Sequence, residues 1–283
     1  MRKYGFIAFL AILVLALGCG KGAKDTKKEE EAFRVPDSLL APIERFHLTV
    51  DEYHVLNGGV MANAQIELRY PSSEIARFVA VKAFGLAWAA YEKVTKEIGR
   101  PTDGKLVLIG TADLDEYLLM TRKEWWYYGY IKGDTIIFEP LDVMMKRFIA
   151  EPGITNRIAQ VAVSRRSGGR SPLWLKEAIA TRIAGEAEIL KIQMPELQYD
   201  GMNMSPSPEA IEAAIAEGKA RGPSRAAYYA AYRMLDGLLA MHSMDNVLSF
   251  LDRLKEGMTL DEASSQAFGI GYNALIDKIR VDR

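Results

Sequence analysis

The 283-residue sequence contains one cysteine, Cys19, and three histidines, His47, His54 and His242. A single cysteine excludes an intramolecular disulfide, and thiolate-rich zinc sites are excluded with it. No histidine lies between residues 55 and 241, where most of the folded chain falls. An excess of either charge is also missing. Lys and Arg number 36 against 37 Asp and Glu, a net charge of −1, so nothing in the electrostatics calls for nucleic acid as a partner. Internal repeats are absent. What remains is ordinary for a globular protein: 49% hydrophobic and 26% charged residues, in a chain long enough to bury a sizeable core.

Arg2 and Lys3 precede the apolar run GFIAFLAILVLALG, residues 5–18, which is too short for a membrane span and has the layout of an export signal. Its end, Leu15-Ala16-Leu17-Gly18-Cys19, resembles a bacterial lipobox, although Ala16 stands where Leu is commoner. That resemblance implies removal of residues 1–18 and lipidation of Cys19. Acyl chains there would hold the protein on the cell envelope without a transmembrane helix. Gly20 rather than Asp follows, which in a two-membrane cell implies the outer membrane, facing the periplasm. A plain signal peptide with an incidental cysteine is the alternative. Residues 19–35 then form the lipidated Cys and a charge-rich tether, and a single domain is expected from 36 to 283.

Within that domain, Phe46, Leu48 and Val50 alternate with polar neighbours, as do residues 65–70, and both stretches predict strands. Ser72 and Ser73 are positioned to cap a long helix over about 74–98, with Val79, Phe84, Trp88, Tyr91 and Val94 at helical spacing. Residues 105–110 predict a buried strand. Residues 128–131 and 135–139 predict a hairpin turning at Gly133-Asp134. Asp113, Asp115 and Glu116 mark a helix start. From Leu141 the pattern is helical, with breaks at Pro152-Gly153, Gly168-Gly169, residues 205–208 and Gly222-Pro223. Strands before helices give an α+β fold, its sheet part about 36–150 and its helical part about 151–283.

Residues 168–180, GGRSPLWLKEAIA, resemble the segment that follows the HExxH helix in zinc metallopeptidases of the peptidase MA-like, or gluzincin, type. There a glycine-bearing loop leads into Pro-x-Trp-Leu-x-Glu-(Gly/Ala)-x-Ala, and the Glu is the third metal ligand. The tail GMTLDEASSQAFGIGYNALIDKIR is similar to the family's ending, in which a small helix follows Gly-x-(Ser/Thr)-x-(Asp/Glu)-x-Ala. The resemblance implies a thermolysin-like catalytic-domain architecture: a small mixed sheet with a long helix, then a helical C-terminal half. Counting back from Glu177, the place of HExxH is taken by Asn156, Arg157, Ile158, Ala159 and Gln160.

HExxH works because two His at i and i+4 hold Zn²⁺ while the Glu between them activates the bound water. Here both His positions carry amides, and the base is a guanidinium that stays protonated and repels a cation. Only Glu177 keeps its type. The resemblance therefore implies a vestigial site of Asn156, Arg157, Gln160 and Glu177 with no metal, no cofactor and no catalytic residue. Glu177 without its cation needs a partner: Arg157 if it can reach, or one of the amides. The same residues also fit an ordinary amphipathic helix, with Ile154, Ile158, Val161 and Ala162 on the core and the polar three on a solvated face.

Three further features bear on function. Family members carry a tyrosine in a later helix, and Tyr228, Tyr229 and Tyr232 are the candidates here, unless all three are packing residues. Trp125, Trp126, Tyr127 and Tyr128 precede the hairpin that would form the cleft rim, where they either bind a ligand or fill a core. Arg165, Arg166 and Arg170 place positive charge around the Gly-Gly loop, most simply as a solvated surface. The expected function is a non-catalytic, pseudo-peptidase envelope lipoprotein, with a membrane contact through its lipid and a peptide or envelope protein as possible partner. The alternative is an active envelope hydrolase or peptidase with a non-standard site. Ser164, Ser167 and Ser171 have no base apparent in the sequence to serve it.

Overall fold

The computed structural model describes residues 58–191, 207–218 and 221–281. The export signal expected over 1–18, the lipidation expected at Cys19, the tether expected over 19–35 and the strand expected at 46–50 lie outside the described residues. The sheet has five strands: β1 (Gly58–Ala62), β2 (Ile66–Pro71), β3 (Leu106–Gly110), β4 (Gly129–Lys132) and β5 (Thr135–Phe138), in the order β1-β2-β3-β5-β4. β2, β3 and β5 run parallel, while β1 and β4 close the two edges antiparallel to their neighbours. Buried Leu106, Leu108, Ile109, Ile136, Ile137 and Phe138 give the central strands an almost continuous apolar run, as expected where both faces are covered. The strand β1 was not legible in the sequence, because its GGVMA opens on two glycines, which signal a turn, and has no strong alternation.

The helix α1 (Glu74–Glu97) begins at Ser73, whose hydroxyl accepts from the Ala76 N–H at 3.0 Å. Its core face differs from the expected one. Ala80, Ala83, Ala87 and Ala90 are buried with Tyr91 and Val94, whereas Val79, Phe84 and Trp88 pack half-buried on the flanks. A stripe of alanines lets a second helix approach closely, and α4 (Ala150–Arg166) occupies that place. Between them in sequence lie α2 (Leu114–Thr121), capped by Asp113 as expected, and α3 (Leu141–Lys146). Beyond α4 come α5 (Leu173–Ala184), α6 (Pro208–Glu217), α7 (Arg221–Met241), α8 (Met244–Lys255), α9 (Leu260–Phe268) and α10 (Tyr272–Val281). The fold is α+β: every strand among the described residues lies between 58 and 138, and from Leu141 on the chain is helical. No helix among the described residues is long and apolar enough to cross a membrane.

Two expected breaks are helix beginnings instead. Pro152-Gly153 falls in the first turn of α4 and Gly222-Pro223 in the first turn of α7. A proline there removes an N–H that has no intrahelical acceptor anyway, so the helix tolerates it. The expected small tail helix is α9, where Thr259 and Glu262 form a reciprocal cap.

The arginines around the Gly-Gly loop are structural clamps and not a solvated patch. Arg166 holds both oxygens of Asp252 at 2.9 and 2.7 Å and donates to the Ile98 carbonyl. Arg165 pairs with Asp103, and Arg170 donates to the Leu254 carbonyl at 3.2 Å. These contacts fix the end of α4 against α1 and α8, and so set the angle at which the loop delivers α5.

Candidate functional site

α4 is packed by α1, α3, α5, α8 and β4, and its residues Gly153–Val163 are all buried. Asn156, Arg157 and Gln160 are 2%, 6% and 4% exposed, so the solvated-face alternative for this helix does not hold. Glu177, 6% exposed, comes from α5, which crosses α4 after the loop. α5 is positioned by its own tryptophan: Trp174 is buried and its indole N–H donates to the Tyr272 hydroxyl of α10 at 2.8 Å.

Three of the four expected residues, Asn156, Gln160 and Glu177, meet in a hydrogen-bonded chain, and Arg157 lines the same cleft as Asn156 and Glu177. Gln160 Nε2 lies 3.0 Å from Glu177 Oε2 and 2.7 Å from Asn156 Oδ1. An amide, not Arg157, is therefore the partner of Glu177. The i, i+4 spacing that would bring two imidazoles to one metal instead brings two amides into contact, and their chain ends on the carboxylate.

A fifth residue extends the chain and was missed in the sequence. Asn156 Nδ2 donates to Glu186 Oε2 at 2.6 Å, and the Tyr128 hydroxyl donates to Glu186 Oε1 at 2.8 Å. Glu186 follows the end of α5, where Gly185 adopts φ +74° and the Glu186 N–H returns to the Thr181 carbonyl at 3.1 Å. This left-handed turn, which glycine adopts without strain, swings the next side chain back over the cleft. A glycine ending a helix was the available signal. It says that the chain turns there, not where the following side chain goes.

Arg157 lies beneath this network with its guanidinium 4.8 Å from the centre of the Tyr128 ring. Its stem passes Gly129 so closely that a Cβ there would sit 3.0 Å from Arg157 Cγ, which is why β4 begins on glycine. Nε is buried without a hydrogen-bond partner. Burial works against the charge, but Tyr128, Glu177, Tyr228 and Glu186 around it outweigh that effect and hold the group above its ordinary range.

Burial is the main influence on the other titratable groups. It raises Glu177 despite the opposing pull of Arg157 and Lys176. Glu186 is pushed up to about 7, again mainly by burial and with Glu177 adding to it, while Tyr128, Arg157 and Asn156 pull the other way. Burial also lifts Tyr128 and Tyr228 well above the usual phenol range, so both are neutral donors.

These residues line a cleft with about 800 Å³ of empty space, its open mouth included. Trp126, Tyr127 and Tyr128 form one wall, with the Trp126 and Tyr127 rings stacked at 4.3 Å between centroids. Trp125 points elsewhere and is 51% exposed. Of the three tyrosines of α7 only Tyr228 faces the cleft, its hydroxyl 3.4 Å from that of Tyr127; Tyr229 and Tyr232 pack on each other. Between the lining residues Arg147 and Ile149, Phe148 is 88% exposed in a left-handed conformation (φ +56°), a costly arrangement for an aromatic residue in the connection between α3 and α4.

The residues present do not fit zinc. Two amides and one carboxylate at 156, 160 and 177 are weak ligands for it, and a fixed cation lies alongside. Among the described residues no three His, Cys, Asp or Glu side chains converge on a common point. Of the serines named above, Ser167 donates to the Val163 carbonyl at 2.9 Å and Ser171 to the Pro172 carbonyl at 3.1 Å. No protein-family model matches this chain, and comparison with curated proteins gives no match.

Proposed function

We propose that this protein is a non-catalytic relative of the HExxH zinc peptidases, held on the cell envelope by a lipid on Cys19, that binds a polypeptide in its cleft without cutting it. The observation that carries the reading is the hydrogen-bonded chain Glu177–Gln160–Asn156–Glu186. It occupies the positions from which such an enzyme would hold its metal and satisfies the carboxylate without one. The aromatic wall of Trp126, Tyr127 and Tyr128 supports a binding role. A hydrolase with a non-standard site is the second reading, supported by one feature: a carboxyl group, Glu186, that titrates near neutrality in a cleft.

Metal analysis of the purified chain beside a general peptidase assay separates the two. The expected result is no stoichiometric zinc and no hydrolysis of a denatured-protein substrate. About one tightly held Zn²⁺ per chain, or turnover that Glu177→Gln or Glu186→Gln abolishes, would overturn the non-catalytic reading. The anchor is tested separately. Cys19→Ser is expected to move the protein to the soluble fraction and end metabolic labelling with palmitate, and unchanged membrane association of that variant would defeat it.

A further inference from the structure

We propose that the cleft is a carboxylate pocket, in which Arg157 takes the carboxylate of a ligand whose apolar or aromatic body lies against Trp126, Tyr127 and Tyr228. The inference deepens the binding role above and rests on it. A guanidinium has five N–H donors in a rigid fork, and withdrawing it from water without acceptors is unfavourable. Arg157 is 6% exposed, yet among the described residues its guanidinium makes no hydrogen bond or ion pair, and Nε is fully enclosed. The neighbouring carboxylates balance its charge but direct their oxygens elsewhere. Glu186 accepts from Asn156 and Tyr128 on its two oxygens, and Glu177 Oε2 accepts from Gln160. The ring of Tyr128 lies 4.8 Å from the guanidinium and the stem packs against the backbone of Gly129, so both parts of the side chain are held and little conformational freedom is left to lose on binding.

The lining selects the kind of anion. Arg147, Arg157 and Arg225 line the cleft together with Glu177 and Glu186, so guanidinium groups stand beside the carboxylates. Arg147 is already held by both oxygens of Glu139, at 3.0 and 3.1 Å, whereas no hydrogen bond or ion pair among the described residues engages the donors of Arg157. A dianion such as phosphate would meet two glutamates at close range, whereas a planar monoanion matches the fork and carries half the charge. Trp126, Tyr127, Ile149, Ile189 and Leu190 supply apolar wall, and the cleft volume suits a body of one or two side chains.

The test is calorimetric titration of the full chain in detergent with four probes: N-acetyl-phenylalanine, its C-terminal amide, and the peptide acetyl-Ala-Ala-Ala-Phe with a free or an amidated C-terminus. The free carboxylates are expected to bind about tenfold or more tightly than their amides, the scale of a charge-assisted fork. Arg157→Gln is expected to abolish that preference while the circular dichroism spectrum stays native. Should Arg157→Gln fail to fold, Arg157→Lys, which keeps the charge but not the fork, is expected to reduce the preference several-fold. Tighter binding of the free peptide than of N-acetyl-phenylalanine assigns the pocket to chain termini, and the reverse assigns it to small acids; both support the proposal. Equal affinity for acid and amide, no binding of any probe, a preference that survives Arg157→Gln, or tighter binding of inorganic phosphate than of the acids would each overturn it. Zinc uptake or peptide hydrolysis, by contrast, would overturn the non-catalytic reading and leave the carboxylate preference standing.

Discussion

The triple substitution Asn156→His, Arg157→Glu and Gln160→His is expected to turn the chain into one that takes up about one Zn²⁺ per molecule. The reason is geometric. Ligand atoms about 2.0–2.1 Å from a tetrahedral zinc are roughly 3.3 Å from one another. The side-chain end at position 160 stands 2.7 Å from that at 156 and 3.0 Å from that at 177, each a few tenths of an ångström short of the spacing between zinc ligands. Arg157→Glu removes the repelling cation. Glu186, now paired with Asn156, is placed to accept the second ring N–H of the imidazole introduced at 156, the arrangement that usually orients such a ligand. Elemental analysis after dialysis reads the stoichiometry. At zinc about 100-fold above its dissociation constant, the variant should gain about 2.7 kcal/mol against unfolding. Adding Glu177→Gln to the triple variant should remove both effects. A folded triple variant that holds no more zinc than the wild type would show that these positions are not a ligand triangle.

Stability is expected to fall as the pH rises from about 4.5 to 7, and Glu186→Gln is expected to remove much of that slope. The folded-state pKa of Glu186, about 7, lies above its unfolded value of about 4.5. Between the two the folded chain binds the extra proton, so rising pH favours the unfolded state. The contribution is complete below the unfolded pKa and is lost as the pH passes through the folded one. A shift of this size corresponds to about 3 kcal/mol across the window. Glu177, Glu116 and Glu139 are raised as well and tilt the curve the same way. Asp103 and Glu262 are lowered and act only in more acid solution. The difference between wild type and Glu186→Gln therefore isolates one residue. The Tyr128 hydroxyl can accept as well as donate, so a neutral amide at 186 can keep its neighbours bonded. Urea unfolding at pH 5, 6, 7 and 8 provides the measurement, and parallel curves for the two proteins would show that Glu186 does not carry the effect.

Local chemistry made several parts of this protein readable in advance. Serine at 73 and aspartate at 113 offer caps whatever surrounds them, and apolar residues at period two or 3.6 need one buried face each. The strand, long helix, strand and hairpin order followed from that, as did the α+β class. That positions 156, 160 and 177 belong together was suggested by the resemblance around Trp174 and by counting back from Glu177, and hydrogen bonds join those three side chains.

Other features belong to tertiary structure alone. Periodicity assigns the core face of α1 to its largest apolar residues, but the closeness of α4 decided for the alanines. The spacing around residue 156 fits a surface helix as well as a buried one, and only packing on every side settled that. Which of three tyrosines faces the cleft depends on the rotation of α7, and the partner of Glu177 depends on a reach of about 3 Å that no spacing encodes. Glu186 enters the site because a glycine turn redirects the chain towards Asn156 and Tyr128, two side chains 30 and 58 residues away. By itself the sequence determined periods, caps and spacings, since these act within a few residues. The fold alone decided the pairing of distant polar groups and the burial of a fixed cation, because each depends on how helices far apart in sequence cross.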